Sequence, residues 1–131
     1  MAIRKQLSVF VENRPGMLAN VCSTLSDAGV NVLAMSIHDT VDHAVLRLLC
    51  DNPTKALLLL EQEEYHVYEH QVVVVEIDNR PGMLAAVAKK LAESDINISY
   101  AYCTATGGQD GGALVLKTSE PERTEEVLRG L

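Results

Sequence analysis

The chain has 131 residues and a formal net charge of −7; 47% of its residues are hydrophobic and 22% are charged, a balance typical of a folded globular protein. The charge argues against nucleic-acid binding, because phosphate contacts need clustered Lys and Arg, whereas the 11 basic residues here are scattered. No apolar run approaches the roughly 20 residues of a membrane span, so we expect no membrane association.

The first half of the chain predicts six elements. An apolar segment at 7–12 predicts a strand, and Asn-Arg-Pro-Gly at 13–16 predicts a turn, since Pro fixes φ and Gly allows a tight bend. Apolar residues at helical spacing from Leu18 to Ala28 predict an amphipathic helix that Gly29 ends. Strands are expected at 30–38 and 44–50, then a helix that begins at 52–53 (Asn-Pro), and a closing strand at 65–69.

The second half repeats this pattern. Residues 79–85 are identical to residues 13–19 (Asn-Arg-Pro-Gly-Met-Leu-Ala), and the apolar segment at 73–78 corresponds to 7–12. After the helix, strands are expected at 96–104 and 113–118, and Ser-Glu-Pro-Glu at 119–122 has the form of a capping box. The second copy stops before a closing strand. We therefore predict an α+β fold of two tandem ferredoxin-like βαββαβ repeats with antiparallel sheets and helices on one face, the second repeat lacking its last strand, in domains 1–70 and 71–131.

Two polar segments are open to more than one interpretation. His-Asp-Thr-Val-Asp-His at 38–43 contains metal-ligand types, but a solvated hairpin turn has the same composition, and we predict no metal site. Gly-Gly-Gln-Asp-Gly-Gly at 107–112 resembles a phosphate loop, yet it lies between two strands and is not followed by a helix. We predict a flexible hairpin there, which could cover a neighbouring pocket.

The sequence contains no recognisable catalytic constellation. A Ser-His-Asp candidate, a nucleophile elbow and a paired zinc motif are all missing, so we predict a protein that is not an enzyme and needs no cofactor. RNA-binding modules of the same topology need aromatic residues on their middle strands, and the strand at 44–50 has none. Three cysteines without a CxxC pair and an N-terminus without an export signal indicate the cytoplasm.

The repeated turn is the candidate binding site. The start of a helix has backbone N–H groups without intrahelical partners and a positive dipole end, which together favour a carboxylate. Gly lets a ligand approach the backbone, Asn offers a donor and an acceptor to the head group of an amino acid, and an Arg in both copies favours an anion. The structural alternative is that the Asn only caps the helix. Met17 and Met83 suit core or interface packing as well as ligand contact.

The order of elements, with Asn-Arg-Pro-Gly at 13–16 and 79–82 and a small apolar helix after each turn, resembles the ACT domain family. The resemblance covers essentially the whole chain and implies a regulatory module that binds a small-molecule effector, an amino acid, where two modules meet. It also implies a partner enzyme of amino-acid metabolism. The implied ligand-binding residues lie in the turns, the helix starts and the second strands: Asn13, Arg14, Gly16, Met17, Leu18, Asn31, Val32, Asn79, Arg80, Gly82, Met83, Leu84, Asn97 and Ile98.

Repeats of about 65 residues are only marginally stabilised by their own cores, so we expect a homodimer. This leaves a second hypothesis for the function. The chain could be a dimerisation or docking module that binds no ligand and regulates a partner enzyme.

Overall fold

Alternating apolar residues form the strands, and apolar residues at helical spacing form the helices that cover them. The structure, a computed structural model, describes residues 1–78, 80–105 and 111–131, and of residue 105 only the backbone. Its elements in chain order are β1 (Ala2–Glu12), α1 (Met17–Asp27), β2 (Val32–Asp39), β3 (His43–Cys50), α2 (Pro53–Gln62), β4 (His66–Ile77), α3 (Met83–Glu93), β5 (Ile98–Ala105), β6 (Gly112–Thr118) and α4 (Pro121–Leu128).

The chain divides into two compact units. The first unit is Lys5–His70, and the second unit is Met1–Arg4 together with Gln71–Leu131. The sequence-based domains, 1–70 and 71–131, remain a prediction. They share the division at residue 70 with the compact units, but residues 1–4 lie with the second unit.

The first unit is a sheet with the strand order β2-β3-β1-β4 and two helices on one face. Both pairings of β3 are antiparallel, and Leu48 lies opposite Leu7 on one side and opposite Met35 on the other. The core joins alternate strand residues to α1 and α2, which confirms the predicted architecture. It consists of Leu7, Val9, Val11, Val21, Leu25, Val30, Ala44, Leu46, Leu48, Cys50, Ala56 and Leu60.

The second unit repeats this arrangement with the strand order β4-β6-β5. Leu116 of β6 lies opposite Val73 of β4 and Ala101 of β5, again in antiparallel register. Its core consists of Val73, Val75, Ile77, Val87, Leu91, Ile96, Leu114, Leu116 and Leu128. Ile3, from the part of β1 that lies in this unit, packs against this core.

Gly29 ends α1, as predicted. It has a φ of 77°, in the left-handed region that favours glycine. Its N–H donates to the Ser26 carbonyl at 2.9 Å, and the Val30 N–H donates to the Leu25 carbonyl at 2.9 Å. These two bonds form the Schellman motif, which satisfies the last carbonyls of the helix.

The same two bonds end α3 around a different residue. The Asp95 N–H donates to the Ala92 carbonyl at 3.0 Å, and the Ile96 N–H donates to the Leu91 carbonyl at 2.9 Å. Asp95 has a φ of 56°, so a residue with a side chain occupies the left-handed position here. The two copies therefore reach one geometry with residues of different backbone preference.

The predicted strand at 30–38 begins two residues later than expected, at Val32. Residues 29 and 30 complete the helix end, and Asn31 is held by hydrogen bonds to Asp51. The Asn31 N–H donates to Asp51 Oδ1 at 2.9 Å, and the Asp51 N–H donates to the Asn31 carbonyl at 3.0 Å. These bonds fix the start of β2 beside the end of β3.

The two minor helices begin differently. Asn52 caps α2, where its Oδ1 accepts from the Lys55 N–H at 3.2 Å, and the start predicted at residues 52–53 is confirmed. The capping box predicted at 119–122 is wrong: Glu120 is the N-cap of α4, and no side chain in the described part of the chain caps that helix. Pro121 pushes the residue before it into the extended region, so the cap falls one position after Ser119.

Thr118 at the end of β6 and Thr124 of α4 form a buried polar contact in the second unit. Their Oγ1 atoms are 2.7 Å apart, and the side chains are 1% and 0% exposed. Residues 129–131 follow α4 as turn and irregular structure. None of the helices that the structure describes has the length and apolar character to span a bilayer.

Candidate functional site

The first turn connects β1 to α1. The Asn13 N–H donates to the Asp42 carbonyl at 3.1 Å, which ties the turn to the hairpin between β2 and β3. Gly16 is the N-cap of α1 with a φ of 89°, and no side chain among the described residues caps this helix. The alternative that Asn13 serves as the helix cap is therefore wrong. The first backbone N–H groups of α1 are left to solvent or to a ligand.

The second turn has the same backbone geometry where the structure describes it. Gly82 is the N-cap of α3 with a φ of 93°, and within the described residues no side chain caps α3. The Ala86 N–H donates to the Gly82 carbonyl at 2.9 Å, as the Asn20 N–H does to the Gly16 carbonyl. Asn79 lies outside the described residues.

Each turn carries an arginine that pairs with the acid two residues before it. Arg14 Nε lies 2.9 Å from Glu12 Oε2, and Arg80 Nε lies 3.5 Å from Asp78 Oδ2. The arginine side chains are 61% and 65% exposed. Exposed pairs of this kind contribute at most about 1 kcal/mol, so a ligand carboxylate can compete for the guanidinium.

A groove of about 110 Å³, the first groove, opens beside the first turn. It brings four of the predicted residues together: Asn13, Arg14, Met17 and Leu18. Its remaining lining comes from β1, β2 and β3, namely Val11, Glu12, Ile37, Ala44 and Leu46.

A groove of about 260 Å³, the second groove, opens between α3 and β5. Two of the predicted residues, Leu84 and Ile98, line it. Arg80, Gly82 and Met83 precede it along the chain and are not part of its lining. The other lining residues are Val87, Ala88, Ala101, Tyr102, Cys103, Leu114 and Leu116.

Asn31 and Val32 do not lie beside the turn of their own unit. They precede or begin β2 next to the end of α1, and that helix of 11 residues is about 16 Å long. Val32 packs against the first core. Asn97 stands in the same place before β5. Of these four predicted residues, only Ile98 lines a groove.

Sequence reasoning missed the strand residues that form most of each groove. Ile37, Ala44 and Leu46 lie in the first groove, and Ala101, Tyr102, Cys103, Leu114 and Leu116 lie in the second. The antiparallel order was the available signal. A second strand that runs back along the helix brings its final residues, not its first, to the start of that helix.

Cys50 and the segment 38–43 have the surroundings of structural residues. Burial, with smaller contributions from Asp51 and Cys22, raises the pKa of the Cys50 thiol from 9.0 to about 11, so Cys50 is a neutral core residue. In the segment 38–43, Thr40 N–H donates to the His43 carbonyl at 2.8 Å and closes an exposed turn. Across the described residues, no group of three or more His, Cys, Asp or Glu is placed to hold a metal ion. Of the predicted hairpin at 107–112, residues 107–110 lie outside the described residues.

Comparison with known proteins adds to this geometry. A model of the ACT domain pair matches residues 1–130. The structure of protein BT0572 from Bacteroides thetaiotaomicron is 31% identical with a TM-score of 0.90, over 98% of this chain and 88% of that one. No curated protein matches the sequence.

Two structures with the same fold are more distant. The regulatory subunit of aspartate kinase from Thermus thermophilus, in its ligand-free form, is 16% identical with a TM-score of 0.71, over 99% of this chain and 97% of that one. The corresponding subunit from Thermus flavus is 18% identical with a TM-score of 0.69, over 98% of this chain and 92% of that one.

Proposed function

Since this chain belongs to the ACT domain pair family, we propose that it is a regulatory module that binds an amino acid beside the start of α1 or α3. One observation carries the proposal. In each unit an apolar groove opens next to a helix start that no side chain in the described residues caps. The turn suits the polar head of an amino acid, and the groove suits its side chain.

The helix start supplies the polar contacts. The uncapped N–H groups of its first turn and the positive end of the dipole favour a carboxylate, and a glycine N-cap lets the ligand approach the backbone. In α3 one of these groups, the Met83 N–H, already donates to the Arg80 carbonyl at 3.4 Å. Arg14 or Arg80 can turn from its exposed acidic partner towards that carboxylate. Charge-assisted hydrogen bonds contribute about 1.5–3 kcal/mol each. After the cost of association, two or three of them correspond to roughly micromolar to millimolar affinity.

The residues proposed for contact are those of the two turns and helix starts. They are Asn13, Arg14, Gly16, Met17, Leu18, Asn79, Arg80, Gly82, Met83 and Leu84, with Ile98 from the second groove. Asn31, Val32 and Asn97 line neither groove, so the proposal does not include them. We propose that the regulated partner is an enzyme of amino-acid metabolism, and the fold shared with aspartate kinase regulatory subunits supports that class of partner.

A thermal-shift screen with the twenty amino acids tests ligand binding. A ligand that binds only the folded state at about 100 times its Kd adds about 2.7 kcal/mol of stability, which raises the midpoint by several degrees. We expect at least one amino acid to raise the midpoint, and the double variant Asn13→Ala/Asn79→Ala to lose that shift. Asn52→Ala is the control, because Asn52 caps α2 far from both turns along the chain, and it should keep the ligand-induced shift. A screen without any shift at about 10 mM would refute the proposal.

The docking hypothesis has its own supporting observation. β2 stands at the end of the strand order, where a strand has unpaired backbone groups. Leu33 and Met35 of this strand are 49% and 36% exposed. We propose that this edge forms the homodimer or contacts the partner enzyme.

Sedimentation velocity tests the edge. We expect Met35→Lys to convert a dimer to a monomer, and Val41→Lys, at a turn position that is 93% exposed, to leave the dimer intact. A dimer that resists Met35→Lys would exclude this edge as the self-association surface. Together with an empty ligand screen, a dimer that Met35→Lys dissociates would favour the docking function.

A further inference from the structure

We propose that the second groove selects amino acids with a medium-sized apolar side chain, such as leucine, and that the first groove is closed to them. This inference rests on the proposed function. The inference goes further by stating which unit binds the amino acid and which class of ligand side chain that unit accepts.

The first difference between the units lies on the second strand of each. In the first unit Met35 lies opposite Leu48, and in the second unit Ala101 lies opposite Leu116. Leu48 and Leu116 belong to the two cores, so both positions are on the face that the helices cover. Methionine has three more non-hydrogen side-chain atoms than alanine, so the second unit has more room at this position, although Met35 itself is 36% exposed and does not line the first groove.

Two residues later along each strand, the first unit again has the larger side chain. Ile37 lies opposite Leu46, and Cys103 lies opposite Leu114. Isoleucine has two more non-hydrogen side-chain atoms than cysteine. The first groove has about 110 Å³ and the second about 260 Å³, and they share three equivalent lining positions: Leu18 and Leu84, Ile37 and Cys103, and Leu46 and Leu114.

The second groove is lined by apolar residues, several of which have small side chains. Leu114, Leu116 and Val87 form buried parts of its lining and are 4%, 1% and 1% exposed. Leu84 at its edge is 50% exposed, so an apolar ligand there would cover a large side chain that now faces water. The first unit has Met35 and Ile37 at the equivalent positions, and these two apolar side chains indicate that the space suits an apolar ligand.

The dimensions and charge of the second groove fit one free amino acid. Leu84 and Ala88 are four residues apart on α3, a rise of about 6 Å, which is close to the reach of a leucine or methionine side chain. Leu84 lies in the first turn of α3, whose start is positive and has no side-chain cap within the described residues. Arg80 adds an exposed cation before that turn. The carboxylate end and the apolar end of the ligand therefore have matching surroundings.

Isothermal titration with leucine, aspartate and lysine tests the inference on the wild type and three variants. Ala101→Met/Cys103→Ile places the side chains of the first unit in the second groove, and Met35→Ala/Ile37→Cys does the reverse. Each variant uses residues that the chain already carries at the equivalent position, and its far-UV spectrum and melting midpoint report folding. Val41→Met is the control, because it adds a methionine at a turn position that is 93% exposed and lines neither groove.

We expect one leucine to bind per wild-type chain, with no binding of aspartate or lysine in the same range. The first double variant should weaken leucine binding at least about tenfold, since filling a pocket by a few methylene groups has effects of this size. The reverse variant should keep the original site and gain a second, and Val41→Met should bind as the wild type does.

Three other results would overturn the inference, and they separate it from the proposed function. Binding of aspartate or lysine without leucine would refute the apolar selectivity and leave amino-acid binding intact. Leucine binding that a folded Ala101→Met/Cys103→Ile variant retains would place the site elsewhere. Binding of no amino acid in the full screen would refute both proposals.

Discussion

Replacing Asp95 with glycine should stabilise the second unit by about 1 kcal/mol. Asp95 and Gly29 hold equivalent positions after α3 and α1, with φ angles of 56° and 77°. The hydrogen bonds of the two helix ends differ by no more than 0.1 Å, so they contribute equally and cancel in the comparison. What differs is the residue that must adopt the left-handed conformation.

The magnitude combines three terms. A residue with a Cβ costs roughly 1–2 kcal/mol in the left-handed region, with aspartate at the low end. A carboxylate beside the negative end of a helix costs about 0.3–1 kcal/mol more. Glycine loses about 0.5–1 kcal/mol through its greater freedom in the unfolded chain. The balance for Asp95→Gly is a gain of about 1 kcal/mol.

Thermal unfolding followed by circular dichroism measures this gain. A change of 1 kcal/mol shifts the midpoint by about 4–8 °C if the second unit unfolds by itself, and by roughly half as much if the whole chain unfolds together. Asp95→Asn is the control for charge, because it removes the carboxylate and keeps a side chain that tolerates the left-handed region. We expect it to give a smaller rise, which high salt abolishes.

The reverse change, Gly29→Asp, should destabilise the first unit by a similar amount. An added Cβ at Gly29 would meet no atom of the described structure within 4 Å, so backbone strain and charge account for the whole effect. An unchanged midpoint for Asp95→Gly, or a Gly29→Asp variant as stable as the wild type, would refute the reasoning.

Three further outcomes follow from buried or capping groups. Because burial raises the pKa of Cys50 from 9.0 to about 11, the folded state holds the thiol proton more tightly than the unfolded state does. In urea unfolding, the free energy of unfolding should be unchanged below pH 9 and should fall by on the order of 2 kcal/mol by pH 11. Cys50→Ala should lack this decrease. Thr124→Val should cost about 1–3 kcal/mol by leaving Thr118 without its partner, whereas Thr118→Val/Thr124→Val should cost less than the sum of the single changes in a double-mutant cycle. Asn52→Ala should cost about 1 kcal/mol in the same assay, and Glu120→Ala almost nothing, because only Asn52 caps its helix with a side chain.

The order of elements follows from patterns that are local in sequence. Apolar segments predicted the strands, helical spacing and Gly29 predicted α1 and its end, and the repeat of residues 13–19 at 79–85 extended these predictions to the second half. Where a prediction failed, a neighbouring residue decided the outcome. Because of Pro121, the N-cap of α4 is Glu120 and not Ser119. Because residues 29 and 30 complete the end of α1, β2 begins at Val32.

The grooves could be predicted only in part, because they join residues that are distant along the chain. The turn residues at the helix starts were predicted from the repeated Asn-Arg-Pro-Gly turn and from the resemblance to the ACT domain family. Ile37 and Cys103 were not, since their place depends on how far the second strand runs back along the helix. That distance is set by the register against β3 or β6, which pairs residues by tertiary packing and not by any local pattern.

The position of residues 1–4 affects the order in which the two units can fold during synthesis. They are synthesised before the first unit, yet they lie in the second unit, most of which is synthesised after it. Ile3 packs against a core that extends to Leu128, so it remains without its final surroundings while about 125 residues are added, a delay of roughly 6–25 seconds at about 5–20 residues per second. Lys5–His70 can assemble as it emerges, whereas the packing of Ile3 against the second core joins distant parts of the chain, and contacts of this kind form slowly. A bulky fusion attached before Met1 would consequently hinder the unit that is completed last.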